Sequence, residues 1–143
     1  MKTKVAVLSN HSYMDKIKHF YGVDISKSFF DVVDQDGKHD QFSNDVKGFK
    51  GLLKFLKNDS LVVMEATGYY HYRLAQYLYE KGITVSVVNP LSVKRFIQMK
   101  LSKIKTDKSD AKAICEYAQA TKVPLYTARN AVQAECLQLL SLQ

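Results

Sequence analysis

Two short apolar runs constrain this chain most. Leu61-Val62-Val63-Met64 and the segment "ITVSVV" at residues 83–88 are near-continuously apolar and rich in β-branched side chains. Runs of that kind read as strands buried on both faces. Between them lies "YYHYRLAQYLYEKG", which places Tyr70, Leu74, Tyr77 and Leu78 on one helical face and ends at Gly82. Strand, helix and strand make a β-α-β unit, which demands a parallel pair with helices covering the sheet.

The segment ahead of this unit has a different period. "HFYGVDIS" and "SFFDVVDQ" are strand-like, and the turn dipeptide Asp36-Gly37 separates the second from "KHDQFS". Three short strands with tight turns predict an antiparallel meander. Asn44 is the expected N-cap of a helix on which Val46, Phe49, Leu52, Leu53 and Leu56 recur at helical spacing. After the second buried strand, Asn89-Pro90 opens a helix through "PLSVKRFIQMK". A lysine-rich linker then leads to a last clear helix, "TDKSDAKAICEYAQA", with Pro124 beyond it. The predicted order is β-β-β-α-β-α-β-α-α. It is the order of the ribonuclease-H-like fold, an α/β architecture with a mixed five-stranded sheet, three antiparallel strands followed by β-α-β units.

At 143 residues the chain is long enough for one domain with a real core. Residues 1–18 read as a poorly ordered leader, 19–126 as the folded domain and 127–143 as the start of a helix leading to a further domain. Cys115 and Cys136 have no ligand-spaced partners and read as reduced thiols, which suits a cytoplasmic protein without a membrane span. The net charge of +7 suits a polyanionic partner. Seven of the 21 basic residues fall between positions 94 and 112: Lys94, Arg95, Lys100, Lys103, Lys105, Lys108 and Lys112. Such a cluster tracks phosphate backbones, although a solvated helix face is the commoner meaning of a lysine run.

Four acids stand out by position. Asp24 lies within the first strand between Val23 and Ile25. Glu65 follows the apolar run Leu61–Met64, and Asp107 and Asp110 open the last helix. Spacing of three residues puts the last two on one helix face, on the stripe of Ala111, Ile114 and Ala118. Each acid alone has an ordinary explanation: Glu65 could cap a helix, and Asp107 with Asp110 could stabilise a helix start by about 0.5–2 kcal/mol. Taken jointly, carboxylates aimed at one partly buried place repel unless a cation neutralises them. Oxygen ligands without His or Cys suit Mg2+ or Mn2+. Two such ions, about 3.5–4 Å apart, activate a nucleophile and stabilise the leaving oxygen at a phosphodiester.

The segments "GVDISK", "MEATGYY" and "KTDKSDAKAI" resemble the N-terminal domain of the insertion-sequence-110 transposases, which include the pilin-gene invertases. The likeness spans roughly Tyr21 to Tyr126. It implies a RuvC-like domain in which Asp24, Glu65, Asp107 and Asp110 form a catalytic tetrad binding two Mg2+ or Mn2+ ions. It also implies DNA cleavage and exchange during transposition, a structured guide RNA as partner, and a homo-oligomer in the full-length protein. Family members carry a second domain with a serine implicated as nucleophile, and Ser141 does not match that serine's context. This chain is therefore expected to be a fragment. Two alternatives stay open: a nucleic-acid-binding module inactive by itself, and a Holliday-junction-type nuclease. An actin-like ATPase lobe fits less well, because the turn Ser26-Lys27-Ser28 lacks the glycines that would cradle phosphate.

Overall fold

The computed structural model describes residues 16–101 and 110–127, the side chains of Lys100 and Leu101 excepted. Five strands and four helices follow one another as expected: β1 (His19–Ile25), β2 (Phe29–Asp34), β3 (His39–Ser43), α1 (Val46–Phe55), β4 (Ser60–Glu65), α2 (Tyr72–Glu80), β5 (Thr84–Val88), α3 (Pro90–Leu101) and α4 (Asp110–Ala120). The strands form one sheet in the order β3-β2-β1-β4-β5. β1 pairs antiparallel with β2, and β2 with β3, whereas β1–β4 and β4–β5 are parallel. This is the ribonuclease-H-like arrangement.

Alternation along the strands sorts side chains onto two faces. Tyr21, Val23 and Ile25 of β1 and Val62 and Met64 of β4 meet Phe49 and Leu52 of α1 and Leu74 and Leu78 of α2. The opposite residues, Phe20 of β1 and Leu61 and Val63 of β4, meet Val93 of α3 and Ile114 and Ala118 of α4. Residues 61 to 64 are fully buried because both faces of β4 are covered. A one-residue slip of β4 would exchange its two sets of side chains between the cores, so the register is strongly held.

Gly22 brings α4 down onto β1. A Cβ there would lie 2.0 Å from the Ala111 carbonyl oxygen and 2.5 Å from the Cys115 nitrogen. No other residue type permits that approach. Beyond α4 the chain returns to the free side of β5. Ser86 donates its hydroxyl to the Pro124 carbonyl, and the Tyr126 N–H donates to the Val85 carbonyl at 2.7 Å. At the other end, Ile17 packs on the α3/α4 face, and the Lys18 N–H donates to the Asp59 carbonyl.

Local details differ from expectation at α1 and α2. The cap of α1 is Asp45, not Asn44: its carboxylate accepts from the Gly48 N–H at 2.9 Å and from the Ser43 hydroxyl at 2.8 Å. These bonds, the backbone one foremost, hold its pKa below the ordinary carboxylate value. Asn44 is diverted to a tertiary role described below. Helix α2 begins at Tyr72, so Tyr70 lies in the preceding turn and is 47% exposed instead of buried. His71, within the stretch read as helix and there expected to be partly exposed, is only 3% exposed. As expected, Asn89 starts α3, its Oδ1 accepting from the Leu91 N–H at 2.8 Å, and Gly82 ends α2 with φ +80°.

Candidate functional site

The parallel register of β1 on β4 pairs Val23 with Met64. Asp24 and Glu65 are the next residues along, so they sit side by side at the ends of neighbouring strands. Alternation turns both toward the face covered by α4, because Val23 and Met64 belong to the opposite core. Asp110 is the first residue of α4, and the close seat of that helix on Gly22 sets its start against the same strand ends.

The electrostatics of the three acids are coupled. Burial, then the charge of Asp110, then that of Asp31 raise the pKa of Asp24 above its ordinary 3.8. Burial, then Asp110, then Asp24 raise that of Glu65 above 4.5. Beyond burial, the charge of Asp110 thus makes both Asp24 and Glu65 harder to ionise, and Asp24 does the same to Glu65, as like charges held near one place do. Asp31, opposite Asp24 in the β1–β2 ladder, is a member that sequence reasoning missed. The alternation of "FFDVVD" across the short Ser26–Ser28 turn was the available signal.

Among the described residues, no group of three His, Cys, Asp or Glu side chains is drawn into a ready metal-ligating cluster. The donor set still fits a hard divalent cation: the half-buried carboxylates of Asp24 and Glu65, with the exposed Asp110 acting on both and no Lys or Arg among the causes of their shifts. Asp107 lies outside the described residues, as do Lys103, Lys105 and Lys108 and the side chain of Lys100. Lys94 and Arg95 are exposed on α3, and Lys112 is exposed on α4 two residues after Asp110.

Two further residues brace the loops beside the acids. Asn44 Nδ2 donates to the Ser26 carbonyl at 3.0 Å and to the Tyr70 carbonyl at 3.2 Å, joining the segment after β1 to the segment after β4. His71 Nδ1 accepts from the Thr67 N–H at 3.1 Å and closes the turn that follows Glu65. Gly68, with φ +56°, supplies the left-handed residue of that turn. Burial lowers the His71 pKa to about 4, so its ring is neutral at physiological pH.

The sheet order, three antiparallel strands continuing into two parallel ones, defines a ribonuclease-H-like domain, with Asp24 and Glu65 at adjoining strand ends. The family model for transposases of the DEDD insertion-sequence-110 type matches residues 21–142, and the chain belongs to that family. It is 29% identical over 132 residues to the pilin gene-inverting protein of Moraxella bovis, a match covering 86% of this chain and 41% of the relative. The pilin gene-inverting protein of Moraxella lacunata matches at the same identity and coverage. The chain thus spans about two fifths of the length of these relatives. Among solved structures, Thermus thermophilus RuvC is similar with a TM-score of 0.48 and 12% identity, covering 76% of this chain and 100% of that one. The complex of T. thermophilus RuvC with a Holliday junction substrate gives a TM-score of 0.46. No helix among the described residues is long and apolar enough to cross a membrane.

Proposed function

We propose that this chain is the acid-bearing domain of a DNA transposase or site-specific recombinase, acting on DNA phosphodiesters with divalent metal. The observation that carries the reading is the side-by-side placement of Asp24 and Glu65 at neighbouring strand ends, both raised by burial and by the charge of Asp110, in a chain of the transposase family. In this reading Asp24, Glu65 and Asp110, joined by Asp107, hold Mg2+ or Mn2+. Bound metal would polarise the scissile phosphate and activate the attacking oxygen.

The residues themselves have three tasks. The carboxylates exchange mutual repulsion for cation binding, which concentrates positive charge where the phosphate must sit. Gly22 and the α4 seat keep Asp110 at the strand ends, and His71 and Asn44 hold the loop after Glu65. Lys94, Arg95, Lys100, Lys103, Lys105, Lys108 and Lys112 steer the polyanion toward the acids. The relatives' greater length makes strand exchange a property of the whole protein, with guide RNA and a homo-oligomer as its partners and the cytoplasm as its place of work.

A second reading, a nucleic-acid-binding module without activity by itself, is favoured by the lack of a ready metal-ligating cluster among the described residues. Thermal unfolding in Mg2+ or Mn2+ separates the two. The metal-binding reading expects a concentration-dependent rise in Tm for the native chain that is lost in Asp24→Asn, Glu65→Gln and Asp110→Asn. An equal response in all four proteins, or none in the native chain, would sink it.

A further inference from the structure

Exposed apolar side chains gather at the carboxylate end of the sheet. Phe29 is 42% exposed, Val46 45%, Tyr69 54% and Tyr70 47%. They come from three segments: the start of β2, the start of α1 and the loop after β4. All three adjoin the acids, since β2 begins where β1 ends and Phe29 pairs with Ser43 at the end of β3. Asn44 ties the segments together through the Ser26 and Tyr70 carbonyls, and its own N–H donates to the Ser28 carbonyl at 2.9 Å.

The rim is preorganised and flanked by cations. The Tyr69 ring lies 6.5 Å from that of Tyr72, which in turn lies 4.1 Å from the buried His71 ring. Tyr69 therefore has Tyr72 and the buried His71 behind it, with more than half of its surface left to solvent. Lys47 and Arg73 are both exposed, and both stand close enough to Asp45 to act on its carboxylate. A shallow depression between α1 and α2 continues from Val46 and Arg73.

Single apolar residues on a surface are ordinary. Aromatic rings interleaved with cations beside a cluster of carboxylates are a more specific combination. Stacking platforms with basic flanks take unpaired strands, because an unpaired base offers a free π face and a paired base in a duplex does not. Val46, Lys47 and Arg73 of this rim lie on α1 and α2, on the opposite side of the sheet from α3 and α4.

We propose that the rim binds an unpaired stretch of DNA next to the phosphate to be cut, with Tyr69 and Tyr70 stacking on bases and Lys47 and Arg73 on phosphates. The inference rests on the DNA-cleaving reading for its choice of strand, but the contact itself needs no metal.

The test is fluorescence anisotropy with a short labelled DNA single strand, its duplex and an RNA strand of the same sequence, all in EDTA. The full chain is expected to bind the DNA single strand more tightly than the duplex. Tyr69→Ala and Tyr70→Ala should each weaken single-strand binding by about tenfold and leave duplex binding unchanged, whereas Tyr69→Phe and Tyr70→Phe retain it. Folded alanine variants that bind the single strand like the native chain would overturn the proposal, as would equal losses on duplex. Tighter, tyrosine-dependent binding of the RNA strand would overturn the assignment to DNA. Should either alanine variant unfold, 2-aminopurine in the strand decides with the native chain: quenching on binding supports stacking, and unchanged emission overturns it. Because EDTA removes metal, failure of this contact and failure of the metal-binding reading are seen in separate experiments.

Discussion

Gly22 and Ala111 are packed so closely that a methyl group on the glycine would lie 2.0 Å from the Ala111 carbonyl oxygen. The obstacle is helix backbone, which cannot rotate aside as a side chain does. Gly22→Ala is therefore expected to lift α4 from β1 and to cost about 3 kcal/mol or more. Urea unfolding measures the loss. A substitution that leaves the midpoint unchanged would refute the close seat of α4.

Ionised Asp24 and Glu65 work against the fold. Asp24 and Glu65 have raised pKa values, so the folded state binds their protons more tightly than the unfolded state. Their contribution is unfavourable when both are ionised, above the raised pKa values, and is relieved as pH falls through them. Asp24→Asn and Glu65→Gln should consequently raise Tm in EDTA at neutral pH while abolishing any gain from Mg2+. Scanning calorimetry with and without metal reads both effects.

His71 acts in the opposite direction. Its folded pKa is about 4, below its ordinary 6.5, because burial disfavours the charged ring. Stability from the neutral ring is complete above pH 6.5 and is lost as pH falls toward 4, by a total on the order of 2–3 kcal/mol. Denaturant midpoints from pH 7 to 4.5 in the Asp24→Asn, Glu65→Gln background isolate this slope. His71→Asn should flatten it.

Cys115 should be inert in the native state. Its Sγ donates to the Phe20 carbonyl at 3.3 Å, and burial is the main cause pushing its thiol up to about 11. Reactivity follows thiolate and access. In a Cys136→Ser background, a colorimetric disulfide reagent is expected to label Cys115 only after unfolding. Rapid labelling of the folded chain would contradict the packing of α4.

The architecture was legible because each element carries its own period. Leu61–Met64, four apolar residues in a row, read as a strand covered on both sides, and Asp36-Gly37 and Gly82 marked their turns from local chemistry. Asp24 and Glu65 were picked out because a carboxylate beside apolar strand residues is costly unless it has a purpose. Tyr70 was misjudged because helical spacing was carried back to Tyr69, whereas φ +56° at Gly68 and the bond from Thr67 to His71 make a turn that delays α2 to Tyr72. Asn44 was misjudged for a related reason. Two adjacent residues could cap α1, and only the presence of Ser26 and Tyr70 nearby decides which of them is needed elsewhere.

Sequence alone thus determined the elements, their order and the acids worth attention, since these depend on periodicity and residue type within short windows. Tertiary structure decided that Asp24 lies beside Glu65 on neighbouring strands, that Asp110 acts on both and Asp31 on Asp24, and that exposed aromatics lie at the same end of the sheet. Those facts depend on strand register and on the approach of α4 to Gly22, contacts between residues tens of positions apart that no local pattern encodes.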